Sequence, residues 1–137
     1  MRRAERGFTL IELISVVILI SIISVSMFSR LGSVSGANIQ ASRDDLIAAL
    51  FFAQQTAMAR AGIQAVVTNT SVSVTENGTP IIVHNKGYPL TFPSGISASA
   101  ATFVYDKLGR TTAATITLSG SGGASATVIV EASGYAH

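Results

Sequence analysis

The longest hydrophobic pattern in the chain is an apolar run from Phe8 to Phe28 that contains one ionisable side chain, Glu12. An α-helix rises about 1.5 Å per residue, so this run would be about 30 Å long, close to the hydrocarbon thickness of a bilayer. Three arginines precede the run, within residues 1–7, and positive residues stay on the cytoplasmic side. The pattern predicts a transmembrane helix over residues 8–28 with a cytoplasmic N-terminus.

A second hydrophobic pattern, of helical period, follows a short interruption. Residues 29–36 contain two glycines and three serines, which weaken a helix and predict a flexible joint. Helical period returns from Ala37 to Ala61, with Gly62 at the position expected for a C-terminal cap. We expect Phe51 and Met58 to pack in the core with the other apolar members of this stripe: Leu46, Ile47, Leu50, Ala53, Ala57 and Ala61.

Beyond Gly62 the hydrophobic period changes from helical to two, which is typical of strands. Asn77-Gly78 supplies the residues of a type I′ turn, so the strands on either side of it should form a hairpin. Residues 94–100 are expected to form a loop. The predicted strands are Ile63 to Thr68, Ser71 to Glu76, Thr79 to His84, Leu90 to Phe92, Thr102 to Tyr105, Thr115 to Leu118 and Ala126 to Glu131.

One long helix followed only by short strands predicts an α+β fold. In this fold the N-terminal helix has a transmembrane half and an amphipathic half, and it packs on a small antiparallel β-sheet or sandwich. The chain has 137 residues, so we expect one globular domain, residues 37–137, outside the inner face of the membrane.

Composition adds few candidates for chemistry. The net charge of +2 is that of residues 1–7, so the rest of the chain is neutral and gives little reason to expect nucleic acid as a partner. Cysteine is absent and His84 and His137 are the only histidines, so no zinc cluster is expected. Without a phosphate-binding loop or a catalytic motif, we expect neither a cofactor nor an enzyme.

The N-terminal segment resembles the class III leader of type IV pilins and type II secretion pseudopilins. The resemblance lies in the basic start, the hexapeptide Gly-Phe-Thr-Leu-Ile-Glu from Gly7 to Glu12 and the long apolar run. A secretory signal has a shorter apolar segment and is cleaved after it. The resemblance implies cleavage between Gly7 and Phe8 by prepilin peptidase, N-methylation of Phe8, and an inner-membrane subunit that then joins other subunits in a pilus or pseudopilus.

Glu12 is the candidate assembly residue. A carboxylate inside hydrocarbon costs several kcal/mol unless it is paired or neutralised. Cleavage after Gly7 would create an amine on Phe8, four residues away on the same helical face, in the same chain or in a neighbour. The resemblance implies the neighbour's amine, a pairing that sets the axial register of the filament. The alternative is a glutamate tolerated near the membrane surface.

Later segments resemble the pseudopilin H/FimT group and the minor pilins of mannose-sensitive haemagglutinin pili. These segments are the helix from Asp45 to Arg60, the turn from Phe103 to Arg110, and Gly134-Tyr135. The resemblance implies a minor pilin that starts or tips the filament. A type II secretion pseudopilin remains an alternative, as does a DNA-binding or adhesive minor pilin that uses Lys107 and Arg110. Phosphate binding needs several cations, so two make a weak case for DNA.

Overall fold

The computed structural model describes residues 9–83 and 86–137, and the side chains of these residues except 26–35, 83 and 86. One helix, α1, runs over Leu10–Ala59. The chain divides into two compact units, Met1–Val34 and Ser35–His137. The boundary between the units falls within residues 29–36. These residues are helical in the structure, and the flexibility expected of them stays a prediction.

In the first unit, the large apolar side chains of α1 between Leu10 and Val25 are exposed. The predicted transmembrane helix begins at Phe8, which lies outside the described residues. Within residues 9–83 and 86–137, no helix is both long enough and apolar enough to cross a membrane.

The second unit contains all the strands, and every pairing between them is antiparallel. The first sheet has the order β3-β2-β1-β8, with β6 on β2, and the second has the order β10-β9-β7; β4 and β5 form a separate hairpin. The strands are β1 (Ile63–Val67), β2 (Ser71–Glu76), β3 (Thr79–Pro80), β4 (Ile82–Val83), β5 (Lys86–Gly87), β6 (Leu90–Thr91), β7 (Ile96–Ala98), β8 (Ala101–Val104), β9 (Ala114–Gly120) and β10 (Ser125–Val130). The predicted α+β class is confirmed.

The hairpin predicted at Asn77-Gly78 is confirmed. Both turn residues have positive φ, 50° and 85°, and Glu76 is paired with Thr79 across the turn. The predicted third strand, Thr79 to His84, is divided in the structure between β3 and β4, and its pairing with β2 ends at Ile81, whose N–H donates to the carbonyl of Val74 at 2.9 Å. The chain then turns away into the β4–β5 hairpin, whose connecting residues 84 and 85, including His84, lie outside the described residues.

The prediction of a loop over residues 94–100 was wrong, because β7 lies there. Ile96 and Ala98 are buried and Ser97 between them is exposed, which is the alternation of a strand with one face on the core. β7 pairs with β9, so a strand of three residues is held by a long-range partner that local sequence does not reveal.

The free edge of β10 is covered by residues that follow it. The backbone N–H of Ile129 donates to the carbonyl of His137 at 2.8 Å, and the N–H of His137 donates back to the carbonyl of Ile129 at 3.0 Å. Val130 and Ala136 form a further bridge. The C-terminal residues therefore act as a short additional strand at this edge of the second sheet.

The core lies between one face of α1 and the inner faces of the strands. The face of α1 in the second unit is narrow and contains several small residues. Its buried apolar members are Ile39, Leu46, Ala49, Leu50, Ala53 and Ala57. Against them lie strand residues of alternating burial, the largest of which are Phe103, Ile63, Ile116 and Leu118.

The prediction that Phe51 and Met58 pack in the core was wrong. Their side chains are 54% and 55% exposed, whereas Leu50 and Ala57 are 0% and 1% exposed. Successive helical residues are separated by about 100° around the axis, and Phe51 and Met58 lie one position beyond the edge of the buried face. The predicted buried face of the helix therefore included one row of residues that is exposed in the structure.

This correction predicts opposite outcomes for two neighbouring substitutions. Leu50→Ala should lower the free energy of unfolding by about 2–5 kcal/mol, because it removes buried methyl groups and leaves a cavity. Phe51→Ala should lower it by about 1 kcal/mol or less, because the ring is half in solvent. Urea unfolding followed by circular dichroism measures both values, and equal losses would contradict the assignment of the core face.

Candidate functional site

The predicted processing residues Gly7 and Phe8 lie outside the described residues. Cleavage after Gly7 and methylation of Phe8 therefore stay predictions. The candidate site can be described from Thr9 onward, where α1 begins.

Glu12 caps the start of α1 together with Thr9. The backbone N–H and the hydroxyl of Thr9 each donate to Glu12 Oε2 at 3.2 Å, and the N–H of Glu12 donates to Thr9 Oγ1 at 3.3 Å. This reciprocal pair is a capping box, in which N-cap and third helical residue satisfy each other's backbone donors. The sequence Thr9-Leu10-Ile11-Glu12 has the spacing of a capping box and could have predicted this cap.

The capping box determines where the carboxylate of Glu12 lies. Both donors from Thr9 use Oε2, and Oε1 accepts no hydrogen bond from the part of the chain that the structure describes. The negative charge therefore lies at the positive end of the helix dipole, which stabilises it. One carboxylate oxygen is held by Thr9, and the other is available to a donor from outside the helix.

The second candidate site, Lys107 and Arg110, lies in the turn between β8 and β9. Asp106 organises this turn. Its Oδ1 accepts the N–H groups of Leu108 and Arg110 at 2.9 and 2.8 Å, and its Oδ2 accepts Nε of Arg110 at 2.9 Å. The pKa of the Asp106 carboxyl is lowered, chiefly by the hydrogen bond from the backbone N–H of Arg110. Hydrogen bonds from the Arg110 side chain and from the backbone N–H of Leu108 lower it further.

The two cations of this turn differ in their partners. Arg110 is already paired with Asp106. Lys107 is exposed and makes no hydrogen bond or ion pair with the described residues. One free cation falls short of the several that phosphate binding requires. Within residues 9–83 and 86–137, no group of three or more His, Cys, Asp and Glu side chains could hold a metal ion.

The turn is fastened to α1 by Gln54. Its amide Nε2 donates to the carbonyls of Gly109 and Ser133 at 3.2 and 3.0 Å. These carbonyls belong to two different turns, one between β8 and β9 and one after β10. A single amide group, which carries two N–H donors, therefore joins the helix to both turns.

Gly109 and Gly134, from these two turns, lie in direct contact. A Cβ on Gly134 would overlap the carbonyl of Gly109 and lie 2.8 Å from Gln54 Nε2, and a Cβ on Gly109 would lie 2.6 Å from Met58 Cε. Both have positive φ, 74° and 84°, which glycine adopts without a steric penalty. The segments that carry the family resemblance include both glycines, but their spacing in the sequence does not predict that they touch.

The contact predicts that Gly134→Ala destabilises the fold more than Gly122→Ala. Both residues have positive φ, so each variant carries the strain of an L-residue there, about 1 kcal/mol. Only Gly134 has atoms within 4 Å of the added methyl group, and this overlap should add about 1–3 kcal/mol. Thermal unfolding of the two variants measures the difference, and equal losses would show that the turns separate easily.

The Asp106 turn predicts a pH dependence of stability. Because folding lowers the pKa of this carboxyl, its contribution is present above the unfolded pKa and is lost as the pH falls through the folded pKa. Asp106→Asn should therefore lower the melting temperature at pH 7, and this effect should shrink as the pH falls through the lowered pKa of the folded state. Asp45→Asn, an exposed acid outside the turn, is the control. A difference between wild type and Asp106→Asn that stays constant throughout an acid titration would contradict this account.

Comparison with known proteins identifies the N-terminal segment. Residues 2–28 match the family described as prokaryotic N-terminal methylation motif, which is the prepilin signal of type IV pilin-like proteins. No curated protein and no solved structure matches the chain. The resemblance of the later segments to the pseudopilin H/FimT group therefore stays a prediction. The motif supports a structural subunit of pilin or pseudopilin type, and it implies processing by prepilin peptidase and association with other pilin subunits.

Proposed function

We propose that this protein is a minor subunit of a type IV pilus, which joins the filament through its N-terminal helix at or near the tip and helps to start assembly. The observation that carries the proposal is the methylation motif over residues 2–28, together with the carboxylate of Glu12 at the first turn of α1.

The N-terminal segment supplies the surface for insertion and assembly. From Leu10 to Val25 the large apolar side chains are 45–75% exposed, and Glu12 is the only ionisable residue among them. A helix that is apolar on all sides requires a lipid or protein environment. We place this segment first in the inner membrane, with the arginines of the leader in the cytoplasm and residues 37–137 in the periplasm, and then in the filament.

Glu12 provides the specific contact in this proposal. Removal of residues 1–7 would leave a positive amine on Phe8, and a neighbouring subunit carries the same group. Thr9 orients the carboxylate through Oε2, so Oε1 can accept a hydrogen bond from the neighbour's amine. An ion pair in an apolar environment stabilises an assembly only when both charges are hydrogen-bonded in good geometry. The capping box supplies these hydrogen bonds for one of the two charges, the carboxylate of Glu12.

The secretion pseudopilus would use the same anchor and the same carboxylate, so these features do not separate it from a pilus. The filament system is decided by a deletion strain. Loss of sheared surface pili, restored by complementation, supports the minor pilin, whereas normal pili with impaired protein secretion would assign the chain to a pseudopilus. Normal pili and normal secretion would overturn both roles.

Two substitutions separate the charge of Glu12 from its capping role. Glu12→Gln keeps a capping box, since glutamine also fills this position, but removes the charge. Thr9→Val keeps the charge and removes the hydroxyl of the cap. If the carboxylate pairs with a neighbour's amine, Glu12→Gln should remain in the membrane fraction but fall by at least about tenfold in sheared filaments. Thr9→Val should show a smaller loss.

Immunoblots of the membrane and sheared fractions measure this comparison. Normal incorporation of Glu12→Gln would refute the role given to the charge. A larger defect in Thr9→Val than in Glu12→Gln would show that Glu12 acts through the helix cap alone.

A further inference from the structure

The second sheet carries rows of hydroxyl groups on the face that points away from the core. Along β7, β9 and β10 exposed residues alternate with buried ones, so the exposed side chains share the outer face. The backbone N–H of Ser99, just after β7, donates to the carbonyl of Thr117 at 2.9 Å and extends the pairing by one step. We call the hydroxyl-bearing residues of this surface the hydroxyl face: Ser97, Ser99, Thr115, Thr117, Ser119, Ser125 and Thr127.

Cross-strand pairing arranges the hydroxyl face as a grid. Residues paired across strands lie on the same face of a sheet. Side chains on this face repeat about every 6.8 Å along a strand and about every 4.8 Å between strands. One row of the grid is Ser97, Ser119 and Ser125, and the next is Ser99, Thr117 and Thr127.

Most of these hydroxyls are free to bind a ligand. Ser99 Oγ accepts the backbone N–H of Thr117 at 2.9 Å. The other hydroxyls of the face make no hydrogen bond with the part of the chain that the structure describes. A hydroxyl can donate one hydrogen bond and accept two, so the grid offers donors and acceptors over its whole area.

An aromatic pair lies at one corner of the hydroxyl face. His137 is joined to Ile129 by two backbone hydrogen bonds, and Ile129 is paired with Thr115, so these three side chains form the next row of the grid. The ring of Tyr135 stacks on that of His137, with centroids 5.3 Å apart and planes inclined by 21°. Tyr135 remains 58% exposed, so its ring is available to a ligand that also contacts the hydroxyls.

The backbone of Tyr135 is fixed on both sides. Its N–H donates to Ser133 Oγ at 3.3 Å, and its carbonyl accepts the N–H of Glu131 at 2.8 Å. A tyrosine side chain has only two torsion angles, so little freedom remains for the ring to lose. This pre-organisation reduces the entropy cost of binding a ligand.

The charges around the hydroxyl face exclude an anionic polymer as its ligand. The strands β7, β9 and β10 contain no Lys, Arg, Asp or Glu. Arg43 reaches the edge of β10, but its Nε donates to the carbonyl of Thr127 at 3.1 Å and its guanidinium is paired with Asp44. The charge beside Tyr135 is the carboxylate of Glu131. Phosphate binding needs several free cations, so electrostatic complementarity favours a neutral ligand.

We infer that the hydroxyl face, together with Tyr135 and His137, binds a neutral polysaccharide. A sugar ring carries hydroxyls at its rim and apolar C–H groups on its two faces. Its hydroxyls can exchange hydrogen bonds with the grid, and its C–H groups can pack on the exposed ring of Tyr135. A protein partner is less well matched, because protein interfaces have an apolar centre and the centre of this face is Thr117.

The inference goes beyond the proposed pilus role and does not depend on it. It uses neither the leader nor Glu12, and every residue that it requires lies in the second unit. A failure of the deletion strain to lose pili would leave it intact, and a failure of the binding experiment would leave the pilus role intact.

Co-sedimentation of the full-length protein, in detergent, with insoluble polysaccharides tests the inference. The protein should bind microcrystalline cellulose, insoluble starch or both. The bound fraction should persist at high salt, because salt screens only charged contacts. Carboxymethyl cellulose, an anionic polymer with the same backbone as cellulose, should bind less protein. Binding to neither neutral polymer, or binding that high salt abolishes, would overturn the inference.

Substitutions on the face identify the contact. Tyr135→Ala should raise the dissociation constant about tenfold, as expected for loss of an aromatic anchor. Tyr135→Phe keeps the ring and should bind nearly as well as wild type. Thr117→Val keeps the shape of the side chain and removes its hydroxyl, and it should raise the dissociation constant about two- to tenfold.

Two substitutions on other surfaces are the matched controls. Phe51→Ala removes an exposed aromatic ring from α1, and Thr102→Val removes an exposed hydroxyl from β8. Both should bind the polysaccharide as wild type does, and circular dichroism shows that each variant is folded. Equal losses in the controls and in the face variants would overturn the inference. Unchanged binding by both Tyr135→Ala and Thr117→Val would also overturn it.

Discussion

The second unit depends on the packing of one narrow face of α1 against the inner faces of its strands. Ala49, Ala53 and Ala57 lie on this buried face, all at most 1% exposed. The larger residues Ile39 and Leu46 precede the alanines on this face. Because the chain has no cysteine, this packing has no disulfide to support it, and the stability of the unit rests on the burial of apolar surface.

Because the buried face of α1 is narrow, residues on both sides of it are free to attach other segments of the chain to the helix. On one flank, Gln54 holds the turns of Gly109 and Ser133. On the other, Phe52 stacks on Tyr88 and holds the segment that follows the β4–β5 hairpin. The exposed apolar residues beside each attachment are therefore consequences of how the sheets are fastened to the helix.

The sequence pattern predicted the class of the fold, the hairpin at Asn77-Gly78 and most strands, because these follow from local periodicity and turn chemistry. It assigned Phe51 and Met58 to the core because apolar identity alone does not tell a helix face from its flank. It missed β7, whose pairing with β9 is a long-range contact. At the candidate site, the motif located Glu12, but its bonds with Thr9 needed atomic positions. The contact of Gly109 with Gly134, separated by 25 residues in the sequence, could not have been derived from spacing.

The short strand made by Ala136 and His137 has a consequence for how the protein tolerates trimming. An unpaired strand edge is a template for aggregation, and here two residues occupy the edge of β10. Removal of these residues by a protease would remove few core contacts. It would, however, leave the N–H and carbonyl of Ile129 free to pair with a strand of another molecule. The damage from such a cut would therefore appear first as loss of solubility, before any loss of folded structure.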